Sequence, residues 1–147
     1  MANAWAPWSS VDASPLECRG DFVHGLLVLN LDTHILICAL RGELRAQERQ
    51  LLERNQWSVS AIVYWEIAKL AKLGRIELDL DDRQVVRTLS RIHSWPIDLA
   101  VARASTSLDF RGDPADEIIA ATSVVHRIPL LTRDSAIRKS ALVPLAG

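Results

Sequence analysis

The chain has 147 residues, of which 49% are hydrophobic, which is enough for one domain with a substantial core and excludes a disordered tail. Its 17 basic and 18 acidic residues leave a formal net charge of -1, which excludes a polybasic protein held to nucleic acid by overall charge. A local basic groove stays possible, because most of the positive residues are arginines, which suit bidentate phosphate contacts.

Residues 1–25 show no helical or strand period and are expected to form a poorly ordered N-terminal extension. The alternative is an arm that packs on a partner through its tryptophans. The first positive residue is Arg19, so this segment lacks the basic region of a secretory signal, and a cytoplasmic location is expected. Cys18 and Cys38 have no CxxC spacing and are expected to be ordinary reduced thiols.

From residue 26 to residue 147 short apolar runs alternate with helical stretches, which predicts a single domain. The runs are too short for ordinary helices and predict strands at 26–31, 57–60, 95–97, 128–132 and 142–145. Helices are predicted at 33–40, 43–55, 61–73, 82–93, 98–108 and 115–126, with a short one beginning at 134. This alternation predicts an α/β fold with a parallel sheet, helices on both faces and ligands at the carboxyl ends of the strands.

Four acidic residues fall where that edge of the sheet would gather them. Asp32 directly follows the first strand, and Asp134 lies two residues beyond the fourth. Asp116 lies in the first turn of the helix that precedes the fourth strand, and Glu66 lies in the second turn of the helix that follows the second strand. Four carboxylates at one place would repel strongly unless a cation joined them, and a ligand set made only of oxygen favours Mg²⁺ or Mn²⁺.

Helix capping is the alternative explanation for three of these positions. Asp32 and Asp134 both stand where an N-cap of the following helix would be. Asp113, Pro114 and Asp116 form a helix start with an acid at N-cap, proline at N1 and an acid at N3. Taken alone, each of these patterns is at least as often structural as catalytic.

Glu66 is harder to explain by structure alone. It falls within a helical stripe that includes Val63 and Ile67. A carboxylate on an apolar face must be neutral, paired or bound to a metal. Lys69 is the one basic residue at a pairing distance along the helix, so an ion pair is the alternative to a metal.

Five segments, in register along the chain, resemble PIN-domain ribonucleases and most closely the VapC-type toxins of prokaryotic toxin–antitoxin pairs. They are LDTH at 31–34, VSA at 59–61 leading to WEIA at 65–68, LGRI at 73–76, DPADEIIAAT at 113–122 and LLTRD at 130–134. The resemblance extends from about residue 27 to the C-terminus and implies a PIN-like three-layer fold. Where relatives often have His-Arg before the Asp-Pro pair, this chain has FRG at 110–112.

The resemblance also assigns roles to individual residues. It implies that the catalytic and metal-binding set is Asp32, Glu66, Asp116 and Asp134. It implies accessory positions at Asp113, Thr132, Thr33 and Ser60, of which Asp113 keeps its interpretation as a cap. Arg111 and Arg133 are candidates for positioning the RNA backbone.

The function expected from these observations is an endoribonuclease toxin that depends on Mg²⁺ or Mn²⁺ and hydrolyses RNA phosphodiesters with a metal-activated water. The resemblance implies a small antitoxin that covers the acidic site, and a homodimer. A groove for the antitoxin is expected from apolar residues of the first two helices, whose alternative role is ordinary core: Ile35, Leu36, Leu40, Leu51 and Leu52.

Two other functions stay open at this point. A catalytically silent PIN-like binding module would have the same fold, although all four acids are present. A phospho-acceptor receiver domain also places aspartates and Mg²⁺ at strand ends, but it needs paired acids after the first strand, and Asn30-Leu31-Asp32 has no such pair. His34, His93 and His126 have no metal-ligand spacing and are expected at the surface or in packing.

Overall fold

A computed structural model describes residues 27–147, so the extension predicted at 1–25 and Cys18 lie outside the described residues. The strands are β1 Val28–Leu31, β2 Gln56–Ser60, β3 His93–Trp95 and β4 Leu130–Leu131. The helices are α1 Thr33–Arg41, α2 Ala46–Arg54, α3 Ala61–Lys72, α4 Arg83–Ser90, α5 Leu99–Ser105, α6 Pro114–His126 and α7 Ser135–Arg138. None of these helices is long and apolar enough to cross a membrane.

The four strands form one parallel sheet in the order β3-β2-β1-β4. Since the chain steps outward from β1 to β3 and then returns to β4, right-handed connections place helices on both faces. The predicted α/β three-layer fold is confirmed. The order also puts β1 in the middle, between β2 and β4, so that residues following these three strands meet at one edge.

Three predicted boundaries are wrong for identifiable reasons. The third strand ends at Trp95 instead of beginning there, because Pro96 has no backbone N–H for a ladder hydrogen bond. The preceding helix consequently stops at Ser90 and leaves His93 to pair with Ser58. The final strand predicted at 142–145 is reduced to a single bridge between Leu130 and Leu145.

Apolar side chains of β1, α1, α3 and α6 form the core beneath the sheet edge. Ile35, Leu36 and Leu52 are all in this core, so the prediction that they line an antitoxin groove is wrong and their alternative role is correct. Their periodicity could not separate the two roles, because a buried face and a docking face have the same spacing.

Asn30 links β1 to α6 inside the core. Its Nδ2 donates hydrogen bonds to the Ile119 carbonyl at 3.1 Å and to Ser123 Oγ at 2.9 Å. Because a buried amide is costly without partners, these bonds fix one arrangement of the two elements. The strand that Asp32 follows and the helix that carries Asp116 are therefore held in register.

Candidate active site

A cavity of about 350 Å³ opens at the carboxyl edge of the sheet, where β1 and β4 end. All four acids predicted from the sequence line it: Asp32, Glu66, Asp116 and Asp134. The other lining residues are Thr33, His34, Ile37, Leu70 and Arg133. The structure therefore brings together side chains from α1, α3, α6 and the segment after β4.

Asp32 is held by the segment that follows β4. It is buried, and its Oδ2 accepts a hydrogen bond of 2.6 Å from the Thr132 hydroxyl. Asp32 occupies the N-cap position of α1 but its side chain accepts no capping hydrogen bond, so the capping alternative does not account for it. Burial raises the pKa of Asp32, and the Thr132 hydrogen bond partly opposes that rise.

Asp134 combines both roles that the sequence left open. Its Oδ1 accepts a hydrogen bond of 2.9 Å from the Ile137 N–H, so it caps α7, and the residue also lines the cavity. Its own N–H donates to Thr132 Oγ1 at 3.0 Å. Thr132 thus connects Asp32 and Asp134 through one hydroxyl group.

Glu66 enters the cavity from the second turn of α3. Its Oε2 accepts a short hydrogen bond from the Thr33 hydroxyl. Burial raises the pKa of Glu66, and the nearby charges of Asp32 and Asp113 raise it further. The ion pair with Lys69 that the sequence allowed is not formed, because the Lys69 ammonium lies 5.4 Å from the ring centre of Trp65 instead.

Asp116 is the most perturbed of the four acids. Burial, together with the charges of Asp32, Glu66 and the other nearby carboxylates, raises its pKa to about 6. Burial is the largest cause of this rise, and four neighbouring carboxylates add to it. The cavity is therefore a site of concentrated negative charge.

Asp113 and Ser60 stand outside the set that lines the cavity. Asp113 caps α6, since its Oδ1 accepts a hydrogen bond of 3.0 Å from the Ala115 N–H. Ser60 is at the N-cap position of α3 but makes no capping bond, and its buried Oγ has no hydrogen-bond partner within residues 27–147. The capping interpretation therefore holds for Asp113.

The sequence reasoning missed the partner of Arg133. Glu48 in α2 is buried, and its two carboxylate oxygens accept bonds of 2.7 Å from Arg133 Nε and from a terminal nitrogen of the same guanidinium. Glu48 lies four residues before the buried Leu52, so the stripe argument applied to Glu66 would also have found it. His34 was expected at the surface or in packing, and it lies on the cavity rim within 3.5 Å of Arg133.

The other predicted arginine, Arg111, is exposed and lies just before α6, outside the cavity lining. Neither ion pair found among the described residues involves Arg111. Arg133, by contrast, already donates hydrogen bonds to Glu48 at the cavity rim.

The four acids fit a divalent cation by the chemistry of their donors. They offer only carboxylate oxygens, and the charges of the neighbouring carboxylates add to the effect of burial in raising the pKa of Asp116, a repulsion that a cation would relieve. Within residues 27–147 no three His, Cys, Asp or Glu side chains are arranged closely enough to form a finished ligand set. The fit therefore lies in the charge and composition of the cavity.

Comparison with known proteins gives consistent results. Residues 30–142 match the model of the PIN domain family. The chain is 32% identical over 114 residues to Ribonuclease VapC22 of Mycobacterium tuberculosis, an alignment that covers 74% of this chain and 88% of that protein.

Solved structures give the same result for the fold. A toxin–antitoxin complex from Klebsiella pneumoniae matches with a TM-score of 0.60 and 27% identity over 76% of this chain and 90% of that chain. VapBC2 from Rickettsia felis, bound to a DNA fragment from its promoter, matches with a TM-score of 0.61 and 17% identity over 82% and 98% of the two chains. The second likeness concerns the fold alone.

Proposed function

The chain belongs to the PIN-domain family, and on that premise we propose that it is an endoribonuclease toxin dependent on a divalent metal and controlled by an antitoxin. The observation that carries the proposal is that four carboxylates line one cavity, with the pKa of Asp116 raised to about 6. A structural role would not require four acids to face one another in a partly buried place. Metal-assisted phosphodiester hydrolysis does require such a set.

In this proposal Asp32, Glu66, Asp116 and Asp134 hold Mg²⁺ or Mn²⁺. The bound cation supplies positive charge that offsets the phosphate and lowers the pKa of a water nucleophile. Because water is the nucleophile, the 2′-hydroxyl takes no part, and the products carry 5′-phosphate and 3′-hydroxyl ends.

The chain's own residues orient this site. The Thr132 hydroxyl fixes one oxygen of Asp32, and the Thr33 hydroxyl fixes one oxygen of Glu66, so neither carboxylate rotates freely. The cap of α7 fixes one oxygen of Asp134 in the same way. These hydrogen bonds prepare the carboxylates before a cation arrives, which reduces the ordering needed on binding.

Arg111 is the better placed of the two arginines to contact the RNA backbone. It is exposed beside the start of α6, whereas both carboxylate oxygens of Glu48 bind Arg133. We assign Arg133 to the rim and Arg111 to phosphate contact.

A metal-dependence assay tests the function. The full chain is incubated with single-stranded RNA and with DNA of the same sequence, in excess EDTA and then with Mg²⁺ or Mn²⁺ added back. We expect RNA cleavage only with added metal, and products with 5′-phosphate ends. Full activity in EDTA would refute the mechanism, and RNA binding without cleavage under any metal would favour the silent binding module.

We propose that the antitoxin inhibits by covering the acidic cavity, with a basic side chain competing for the carboxylates. The matched structure from Klebsiella pneumoniae is a toxin–antitoxin complex, which supports a partner of this kind. The test is co-purification with the product of an adjacent small gene, followed by cleavage assays. A stoichiometric complex that cleaves RNA as fast as the free protein would contradict occlusion of the site.

We also propose that the chain forms a homodimer. Sedimentation of the purified chain tests the dimer. The proposed nuclease domain is 26–147, and the family match at 30–142 supports this boundary. Deleting residues 1–24 should leave metal-dependent cleavage intact, and loss of folding would show that the extension belongs to the core.

A further inference from the structure

One face of α3 carries exposed groups that the proposed chemistry does not use. Trp65 is 56% exposed and Leu73 is 65% exposed, although large apolar side chains are usually buried. Lys69 lies between them, and its ammonium is 5.4 Å from the centre of the Trp65 ring. Residues four apart share a face of a helix, so the three side chains form one row.

This row adjoins the acidic cavity. Glu66 follows Trp65 directly, and one residue along a helix turns the side chain by about 100°. Glu66 and Leu70 line the cavity, so the row lies on the solvent side of the same helix, just beyond the rim. A nucleic acid strand whose phosphate sits in the cavity would continue over this face.

The charges of the row favour nucleic acid over an apolar protein segment. Lys69 and the exposed Lys72, near it on the helix, form no ion pair with any carboxylate in the described part of the chain. An apolar partner would bury these ammonium groups without a counter-charge, which is costly. Single-stranded RNA supplies a base to stack on the indole and phosphates to pair with the lysines.

We propose that Trp65, with Lys69, is a stacking platform for one unpaired RNA base next to the scissile phosphate. The inference rests on the proposed ribonuclease function and names a subsite for its substrate. Trp65 binds the base by stacking, which tolerates any base because each one has a π face. Lys69 holds the indole from one side and contacts the adjacent backbone.

Binding is measured with the full chain carrying Asp116→Asn, which prevents cleavage and reduces repulsion of the strand. A fluorescein-labelled single-stranded RNA is titrated and followed by anisotropy. Adding Trp65→Ala should weaken binding by about 5- to 100-fold, whereas Trp65→Phe should retain most of the affinity. Leu142→Ala is the matched control, because Leu142 is an apolar side chain of similar exposure (51%) that follows α7 and does not line the cavity.

An abasic scan of the same RNA separates stacking from general surface effects. Removing the base at one position should weaken binding to Trp65 protein and have no further effect on the Trp65→Ala protein, because the two changes remove the same contact. Additive losses at every position would overturn the proposal. Unchanged RNA binding by Trp65→Ala would also overturn it, and a loss of self-association in that variant would assign the face to a second copy of the chain.

The same proteins without Asp116→Asn distinguish this proposal from the function on which it rests. Metal-dependent cleavage that is indifferent to Trp65 would refute the platform and leave the ribonuclease intact. Binding that depends on Trp65 in a chain that cleaves nothing would support the platform and refute the ribonuclease. Where both hold, Trp65→Ala should raise KM by the factor seen in binding and leave kcat within about twofold.

Discussion

Buried carboxylates stand in two contrasting environments around the end of β4. The hydrogen bonds from Arg133 hold the pKa of Glu48 below its usual range. Burial and neighbouring carboxylates raise the pKa of Asp116 to about 6. One acid is paired with a cation of the chain itself, and the other faces more acids.

The difference shows how the chain separates stability from function. Arg133 lies between Thr132 and Asp134, next to the acidic cavity. Its guanidinium nevertheless binds Glu48 and so attaches α2 to the site. It is the only arginine or lysine among the described residues that line the cavity. The negative charge of the other four acids is therefore left for an external cation, at a cost in stability when none is bound.

The largest expected effect is on RNA cleavage, which should depend on the unpaired carboxylates that line the cavity. Asp32→Asn or Glu66→Gln should lower metal-dependent RNA cleavage by about 100-fold or more, because each removes a charged ligand while preserving shape. Initial rates with saturating Mg²⁺ measure this, and circular dichroism checks the fold. Asp98→Asn is the matched control, since Asp98 caps α5 through Val101 and lies outside the cavity. Equal rates for Asp32→Asn and Asp98→Asn would end the assignment of Asp32.

The next effect concerns the paired acid. Glu48→Gln should lower the free energy of unfolding by about 1–3 kcal/mol, because Arg133 loses the charge that binds it in a half-buried place. Urea unfolding at pH 7.5 with EDTA measures the loss. The lowered pKa of Glu48 means that its stabilisation is present above its unfolded pKa and is lost as pH falls. A variant as stable as the parent at neutral pH would show that the pair is dispensable.

Asp116→Asn should have the opposite sign. The folded protein holds a proton on Asp116 up to about pH 6, against a reference value of 3.8, so stability falls as pH rises between these values and stays lower above them. Removing the charge should raise the metal-free free energy of unfolding at pH 7.5 by on the order of 1 kcal/mol, after allowing for partial exposure. The gain should vanish near pH 4.

A matched variant in the same turn of α6 tests the structural alternative. Asp113→Ala removes the cap bond to Ala115 and should cost about 0.5–2 kcal/mol with or without metal. If Asp116→Asn is destabilising to the same degree, Asp116 serves the helix start, and the contrast between paired and unpaired acids fails.

The sequence was sufficient to place the four acids that line the cavity, because the sequence signals that mark them are local. Asp32 and Asp134 follow apolar runs, and Asp116 belongs to a helix start that Asp113 and Pro114 mark. Such signals also located α1, α3 and α6 to within one or two residues, since caps, glycine and long periodic stretches fix them. Gly74, for example, ends the turn after α3 with a φ of 68°.

What the sequence could not give depends on tertiary contacts. Glu48 and Arg133 are 85 residues apart, and nothing near either one indicates the other. The prediction that Ile35 and Leu36 line a groove failed for a similar reason, because periodicity reports a buried face without naming what covers it. The third strand was misplaced because its three residues carry no period, and only pairing with β2 defines them.

The smallest expected effect extends the comparison of paired and unpaired charged groups from the acids to two histidines. His93 and His126 pack on opposite sides of Trp95, with ring centres 4.4 Å and 4.1 Å from the indole. Both Nε2 atoms are buried with no hydrogen-bond partner among the described residues. Burial lowers the pKa of both rings, and the charge of Asp98 only partly opposes this at His126.

Both histidine side chains are half-buried and burial opposes their charged form, so their protonation should destabilise the fold. Below the unfolded pKa of 6.5 the unfolded chain binds more protons than the folded one, and stability falls as pH falls. His126→Phe keeps a ring against Trp95 and removes one proton site, so it should flatten the decline between pH 7.5 and pH 5.5. Urea unfolding in an Asp116→Asn background isolates the effect, because Asp116 acts with the opposite sign in an overlapping range. If the decline in the free energy of unfolding is unchanged, the protonated His126 side chain must be able to reach solvent. A missing counter-charge would then destabilise the fold only at the acidic residues.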